Sequence, residues 1–183
     1  MEHGRVIMSQ KKFDLTIERL CHNLMEDFGA FENTCLIGIQ DRGAMLSDRL
    51  VHRLKAKKKF ANLQYGKLDI TFYRDDYRQK ARPLKASSTE IDFSIEGKKV
   101  ILVDDVLYTG RTIQSALTAL NDIGRSSNIS LLCLIDRRFN RQLPIHAKYI
   151  GISVDALEEA YVKVEWANVE GEDRVLLFPA KKD

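Results

Sequence analysis

Apolar residues recur at helical spacing near the start of the chain. Phe13, Ile17, Leu20, Leu24 and Phe28 share one face of a helix predicted from about Gln10 to Phe28, with Gly29 as its C-terminal stop. The short apolar run Thr34 to Gln40 (TCLIGIQ) predicts a buried strand, which opens into Asp41-Arg42-Gly43 and a helix from about Ala44 to Leu54. In Lys67 to Tyr73, Leu68, Ile70 and Phe72 alternate with Asp69 and Thr71, which predicts another strand. Val100–Val103 and Ile129–Asp136 are further apolar runs, separated by a helix that opens at Gly110 and stops at Gly124. Strands alternating with helices in this way predict a parallel α/β sheet. The tail changes character, and Tyr161 to Phe178 predicts two strands joined around Glu170–Glu172 as an antiparallel hairpin.

One segment, Tyr73 to Ser94, is long, polar and charged, with Pro83 and the run Ser87-Ser88-Thr89. Inside a compact domain, that length marks a functional flap or a disordered loop. The 183 residues are 44% hydrophobic, which suits one domain, residues 1–183, with a sizeable core. With 29 basic and 26 acidic residues the net charge is only +3, so the chain is no polycation built for nucleic acid. The basic cluster between Arg53 and Phe60 reads as a solvated helix end. Cys21, Cys35 and Cys133 are widely spaced, with no CxxC or Cys/His cluster to suggest structural zinc. No signal-like apolar segment or membrane-length run is present, and the expectation is a soluble protein of the reducing cytoplasm.

The candidate chemistry lies in Lys98–Leu117, KKVILVDDVLYTGRTIQSAL. Val100–Val103 has no polar alternation, as expected of a central parallel strand covered on both faces. Asp104 and Asp105 follow it, at the strand end where open α/β sheets place their ligand crevice. The chain then turns through Val106, Leu107 and Tyr108 into Thr109-Gly110-Arg111-Thr112 and a helix. Backbone N–H groups, the positive end of the helix dipole and two threonine hydroxyls there suit a phosphate, and Gly110 admits close approach. This is not a Walker loop, because GxxxxGK[ST] is absent. Two carboxylates would repel phosphate, but they accept hydrogen bonds from hydroxyls. A ribose 5-phosphate offers both groups, and magnesium on a neighbouring diphosphate would offset the acidic charge. A lone pair of aspartates more often merely ends a strand, and an acidic phosphoacceptor pocket is a competing reading. The flanking apolar run and the TGRT–helix junction weigh against both.

VILVDDVLYTGRT resembles the diphosphate-sugar signature of type I phosphoribosyltransferases. LIGIQDRG, LDITFYRDD and RQLPIHAKYIG extend the resemblance, in order and over most of the chain, to the pyrimidine operon attenuator/uracil phosphoribosyltransferase (PyrR) family. The resemblance implies the type I phosphoribosyltransferase fold: a parallel sheet flanked by helices, a mobile flap at about 73–94, and a small C-terminal hood largely at about 136–183. It implies that Asp104 and Asp105 hold the ribose hydroxyls of 5-phosphoribosyl diphosphate, and Thr109, Gly110, Arg111 and Thr112 its 5-phosphate. Asp41, Arg42 and Gly43 fall in the pyrophosphate loop, and Arg74 at the flap base is a second pyrophosphate contact. Val106 lies beneath the nucleobase, and Asp136 and Arg137 begin the base-side segment. Asp104, Asp105 and Arg42 form the implied catalytic set, with Mg2+ carried on the diphosphate sugar rather than ligated directly by protein. This sequence departs from the family at Asp41, where relatives more often have Thr, and in DRRFNRQLP, where they usually read the shorter DRGHRELP.

The implied reaction joins a nucleobase, uracil first among the candidates, to 5-phosphoribosyl diphosphate and releases pyrophosphate. Positioning and leaving-group stabilisation, rather than a strong general base, would carry it. The alternative is a nucleotide-sensing, RNA-binding attenuator with weak or no catalysis. Glu18, Glu26 and Asp27 put acid on the polar side of the first helix, where regulators tend to show hydroxyl or basic residues, while Arg137, Arg138 and Arg141 keep RNA in play. Trp166 reads as hood or core packing, and the resemblance implies a homodimer or higher oligomer.

Overall fold

A computed structural model of the protein describes residues 4–75, 87–155 and 160–179. Helix α1 (Gln10–Phe28) spans its predicted range, and Phe13, Ile17, Leu20 and Leu24 are buried. Five strands follow in parallel: β2 (Thr34–Ile39), β3 (Gln64–Leu68), β4 (Lys99–Leu107), β5 (Asn128–Arg137) and β6 (Tyr149–Val154). Their spatial order is β3-β2-β4-β5-β6, so β4 lies at the centre, paired with β2 on one side and β5 on the other. Every residue of β2 is buried, which explains its unbroken apolar character.

Helices cover both faces. On one side, α1 and α2 (Arg42–Lys55) pack Leu20, Leu46 and Leu50 with Ile101, Val103, Leu132 and Leu134 in a common core. On the other, Ile113, Ala116, Ala119 and Leu120 of α3 (Arg111–Ile123) meet Ile37, Val100, Leu102 and Cys133. The three cysteines are buried and unpaired. Burial pushes the Cys21 and Cys35 thiols up to about 11 and raises that of Cys133 further, so all three stay protonated and unreactive. Lys55 and Lys57–Lys59 lie exposed at and just beyond the end of α2, as expected of a solvated helix end.

The strand predicted over Lys67–Tyr73 is displaced. Pairing with β2 ends at Leu68, and Thr71–Tyr73 forms a 3-10 turn. The cause is local: the Asp69 carboxylate accepts from the Thr71 N–H at 2.9 Å and from its hydroxyl at 2.6 Å, a side-chain turn that competes with the ladder. Phe72 consequently projects outward, 68% exposed. Of the segment expected to form a flap, residues 76–86 lie outside the described residues. Its return limb is tied to the sheet edge, where Lys67 and Glu90 exchange backbone hydrogen bonds at 2.8 and 2.9 Å.

The tail hairpin forms from β7 (Tyr161–Glu165) and β8 (Arg174–Phe178), joined through the single helical turn α4 (Ala167–Glu170). β1 (Arg5–Met8), absent from the sequence-based expectation, pairs antiparallel with β8 and completes a three-stranded sheet. Trp166 seats this sheet on the main domain. It is fully buried, edge-on to Phe13 with ring centroids 5.4 Å apart, beneath an Arg49 guanidinium 4.8 Å from its ring centre. Arg49 in turn forks onto Asp173 at 2.6 and 3.2 Å. Trp166→Ala is expected to cost about 3–5 kcal/mol of stability, read as a lowered urea midpoint by far-ultraviolet circular dichroism.

Candidate active site

β4 runs on through the acid pair to Leu107, with Asp104 beside Cys133 and Val106 beside Ile135 of β5. The central strand therefore delivers both carboxylates rigidly, and its two faces leave them only 7% and 8% exposed. Asp104 Oδ1 accepts from the Asp105 N–H at 3.0 Å. Burial, and then the neighbouring Asp105 charge, raise the Asp104 carboxyl well above the usual range. Burial also lifts Asp105 to about 6, opposed by the positive charge of Arg42.

The first turn of α2 lies directly against this strand. A Cβ on Gly43 would sit 2.5 Å from the Val103 carbonyl oxygen and 3.0 Å from Asp104 Cα, so only glycine permits the approach. The preceding Gln40–Asp41 peptide is cis. Asp41 accepts from the Ser87 hydroxyl at 3.1 Å, and the Gln40 side chain donates to the Ser88 carbonyl at 2.5 Å. Arg42 reaches back to the hood, donating to the Val164 carbonyl at 2.6 Å and to Glu170 Oε1 at 3.2 Å.

Beyond β4, Gly110 adopts φ +94°, a left-handed turn that suits glycine, and α3 begins at Arg111. The turn lines a cavity of about 660 Å³ together with Arg74, Asp75, Asp104 and Val106. A second cavity, of about 410 Å³, adjoins it through Arg74, Asp104, Val106 and Thr112, and adds Asp41, Arg42 and Asp105. The predicted acid pair, loop arginine and phosphate turn thus converge on one connected hollow. Arg111 is engaged within it, by Gln142 at 2.7 Å and by Asp75.

Asp136 and Arg137 stand apart from the lining of both cavities. Asp136 is ion-paired to Arg141 at 2.5 Å. Arg137 is buried with its guanidinium 3.8 Å from the Tyr108 ring centre, and it donates to the Ala160 carbonyl at 2.7 Å. Arg138 forks onto Asp155 at 2.6 and 2.7 Å. Sequence reasoning singled out neither Tyr108 nor Gln142 for this site. Tyr108 was visible within VLYTGRT as a member of the turn, whereas Gln142 reaches Arg111 across 31 positions and leaves no local signal.

Residues 7–168 match the model of the phosphoribosyl transferase domain. The chain belongs to the phosphoribosyltransferase family. Within it, the chain is 39% identical over 179 residues to Bifunctional protein PyrR of Elusimicrobium minutum, covering 98% of this chain and 99% of that protein. It is 41% identical over 177 residues to the protein of the same name from Caldicellulosiruptor bescii, covering 97% and 96% of the two chains. Among solved structures, a hypoxanthine-guanine phosphoribosyltransferase of Bacillus anthracis superposes with a TM-score of 0.72 at 16% identity, over 96% of this chain and 98% of that one. A Staphylococcus aureus hypoxanthine phosphoribosyltransferase gives 0.67 at 20% identity, over 97% and 92%. The protein is a PyrR-like type I phosphoribosyltransferase, a glycosyltransferase by reaction class, and its parallel sheet is that of the type I fold. No helix among the described residues is long and apolar enough to cross a membrane.

The buried acid pair has a stability cost with a definite sign. The folded Asp105 carboxyl titrates at about 6 against an ordinary 3.8, so the folded state holds its proton more tightly and loses stability as pH rises through that interval. Asp105→Asn is expected to stabilise the fold by about 2–4 kcal/mol above pH 6. The gain should fade as pH falls from about 6 toward about 4 and vanish below it, where the unfolded state is protonated as well. Denaturant midpoints across pH 4–8 check this.

Proposed function

We propose that the protein transfers the 5-phosphoribosyl group of 5-phosphoribosyl diphosphate to a ring nitrogen of uracil, giving uridine monophosphate and pyrophosphate. One observation carries the reading: the buried acid pair on the central strand and the glycine turn at the start of α3 line two adjoining cavities that share Asp104 and Thr112. The carboxylates suit the vicinal hydroxyls of a ribose, and the turn suits its 5-phosphate. Arg42 and Arg74, in the adjoining cavity, suit the pyrophosphate. Asp41 borders the same space, and Val106, bordering both cavities, offers an apolar surface to the base. In the transfer, the C1–oxygen bond to pyrophosphate breaks, the nitrogen–C1 bond forms, and the base N–H proton passes to solvent.

Among the described residues no three His, Cys, Asp or Glu side chains form a metal cage. Asp104 and Asp105 offer hard oxygen donors that fit Mg2+ arriving on the diphosphate sugar. Bound there, the ion would neutralise charge on the departing pyrophosphate. Uracil is favoured by the likeness to PyrR proteins at 39–41% identity, far above the 16–20% to purine-named structures, which share the fold alone. Cytoplasmic location fits three buried thiols, and self-association follows the family resemblance. An RNA-binding role draws less support, because Arg137, Arg138 and Arg141 all have acceptors within the chain.

The test supplies Mg2+, 5-phosphoribosyl diphosphate and, separately, uracil, hypoxanthine, guanine, xanthine and adenine. Uridine monophosphate is expected, with the rate falling at least about 100-fold in Asp104→Asn/Asp105→Asn. A purine nucleotide instead would overturn uracil, and no product despite tight sugar binding would overturn the enzyme reading.

A further inference from the structure

The carbonyl groups of the phosphate turn are held from outside the cavity. Arg141 Nη1 donates to the Tyr108 carbonyl. The backbone N–H groups of Gln142 and Leu143 both donate to the Thr109 carbonyl, at 3.0 and 3.2 Å. None of these three donors lines the 660 Å³ cavity; Arg141 and Gln142 border a separate hollow behind Tyr108 and Thr109. Arg141 is itself fixed by Asp136, at the end of β5 and in register with Leu107 of β4. Both side chains of this pair are largely buried, at 19% and 13% exposure.

Geometry turns these ties into an orientation. A trans peptide is planar, with its C=O and N–H on opposite sides. A Tyr108 carbonyl pinned by Arg141 therefore aims the Thr109 N–H the opposite way, and the pinned Thr109 carbonyl does the same for the Gly110 N–H. Released, either peptide could turn a carbonyl dipole toward the anion, replacing attraction with repulsion. We propose that Arg141 and Asp136 are positioning residues that set the phosphate turn with its N–H groups toward the ligand, rather than contacts to the base. This deepens the reading of the cavity as a ribose-phosphate site and rests on it. It also gives the DRRFNRQLP segment a task on the sugar side of the reaction.

The experiment measures ribose 5-phosphate binding by calorimetry, alongside Michaelis constants for 5-phosphoribosyl diphosphate and uracil, in wild type, Arg141→Met, Arg141→Lys and Asp136→Asn. Arg141→Met should weaken ribose 5-phosphate and raise the diphosphate-sugar constant about 10- to 100-fold, the range for a lost charge-assisted hydrogen bond. The uracil constant and kcat at saturating sugar should stay within about threefold. Arg141→Lys, which retains a cationic donor, should recover part of the loss, and Asp136→Asn should show a smaller effect in the same direction with its fold intact. Unchanged ribose 5-phosphate binding in Arg141→Met, or a rise confined to the uracil constant, would overturn the proposal. Failure of the wild type to bind either sugar phosphate would instead remove the ribose-phosphate reading itself, and the proposal with it.

Discussion

Two carboxylates withheld from water at the end of a central strand are the constraint around which this molecule is arranged. Neighbouring like charges in a protein interior are unfavourable unless cations and donors surround them. The surroundings supply these. Arg42 approaches from α2, Arg74 from the edge of the long polar segment, and the α3 N-terminus lies beyond the strand. A buried acid pair of this kind favours hydroxyl donors and cations. A ligand that brings both relieves the strain that the fold carries alone.

The loops around the acids are held from behind. Arg42 is tethered to Val164 and Glu170 of the hood, and the phosphate turn is tethered to the 141–143 segment. In each case backbone carbonyls or side chains are held by hydrogen bonds from other parts of the chain. Such loops can bind without first losing much conformational freedom, which favours affinity. Gly43 serves the same end by steric means, letting α2 lie flat on β4 so that the arginine and the acids share one wall.

What could be read in the chain follows the range of the interactions. α1, β2 and β5 announce themselves because burial imposes a short period or an unbroken apolar run. The acids and the TGRT turn were legible because one short continuous stretch, Asp104–Thr112, carries them. β6 was missed because Tyr149–Val154 is an outer strand of mixed exposure, and β1 because four residues say little until β8 lies beside them. The strand expected through Tyr73 failed for a local reason, since Asp69 captures the backbone where alternation alone would continue. The engagements of Asp136 and Arg137 were invisible, because their partners depend on how the chain folds back after β5.

The pairing of β1 with β8 links the first described strand to the last. Contacts between segments so far apart along a chain carry a large loop-closure cost and form slowly. β7, which holds the Arg42 anchor at Val164, is sewn into that same small sheet. A nascent chain can thus assemble its parallel sheet and acid pair while Arg42 still lacks its backstop. The hold on Arg42 therefore comes only after β7 has been made, well after the residues that carry the acid pair.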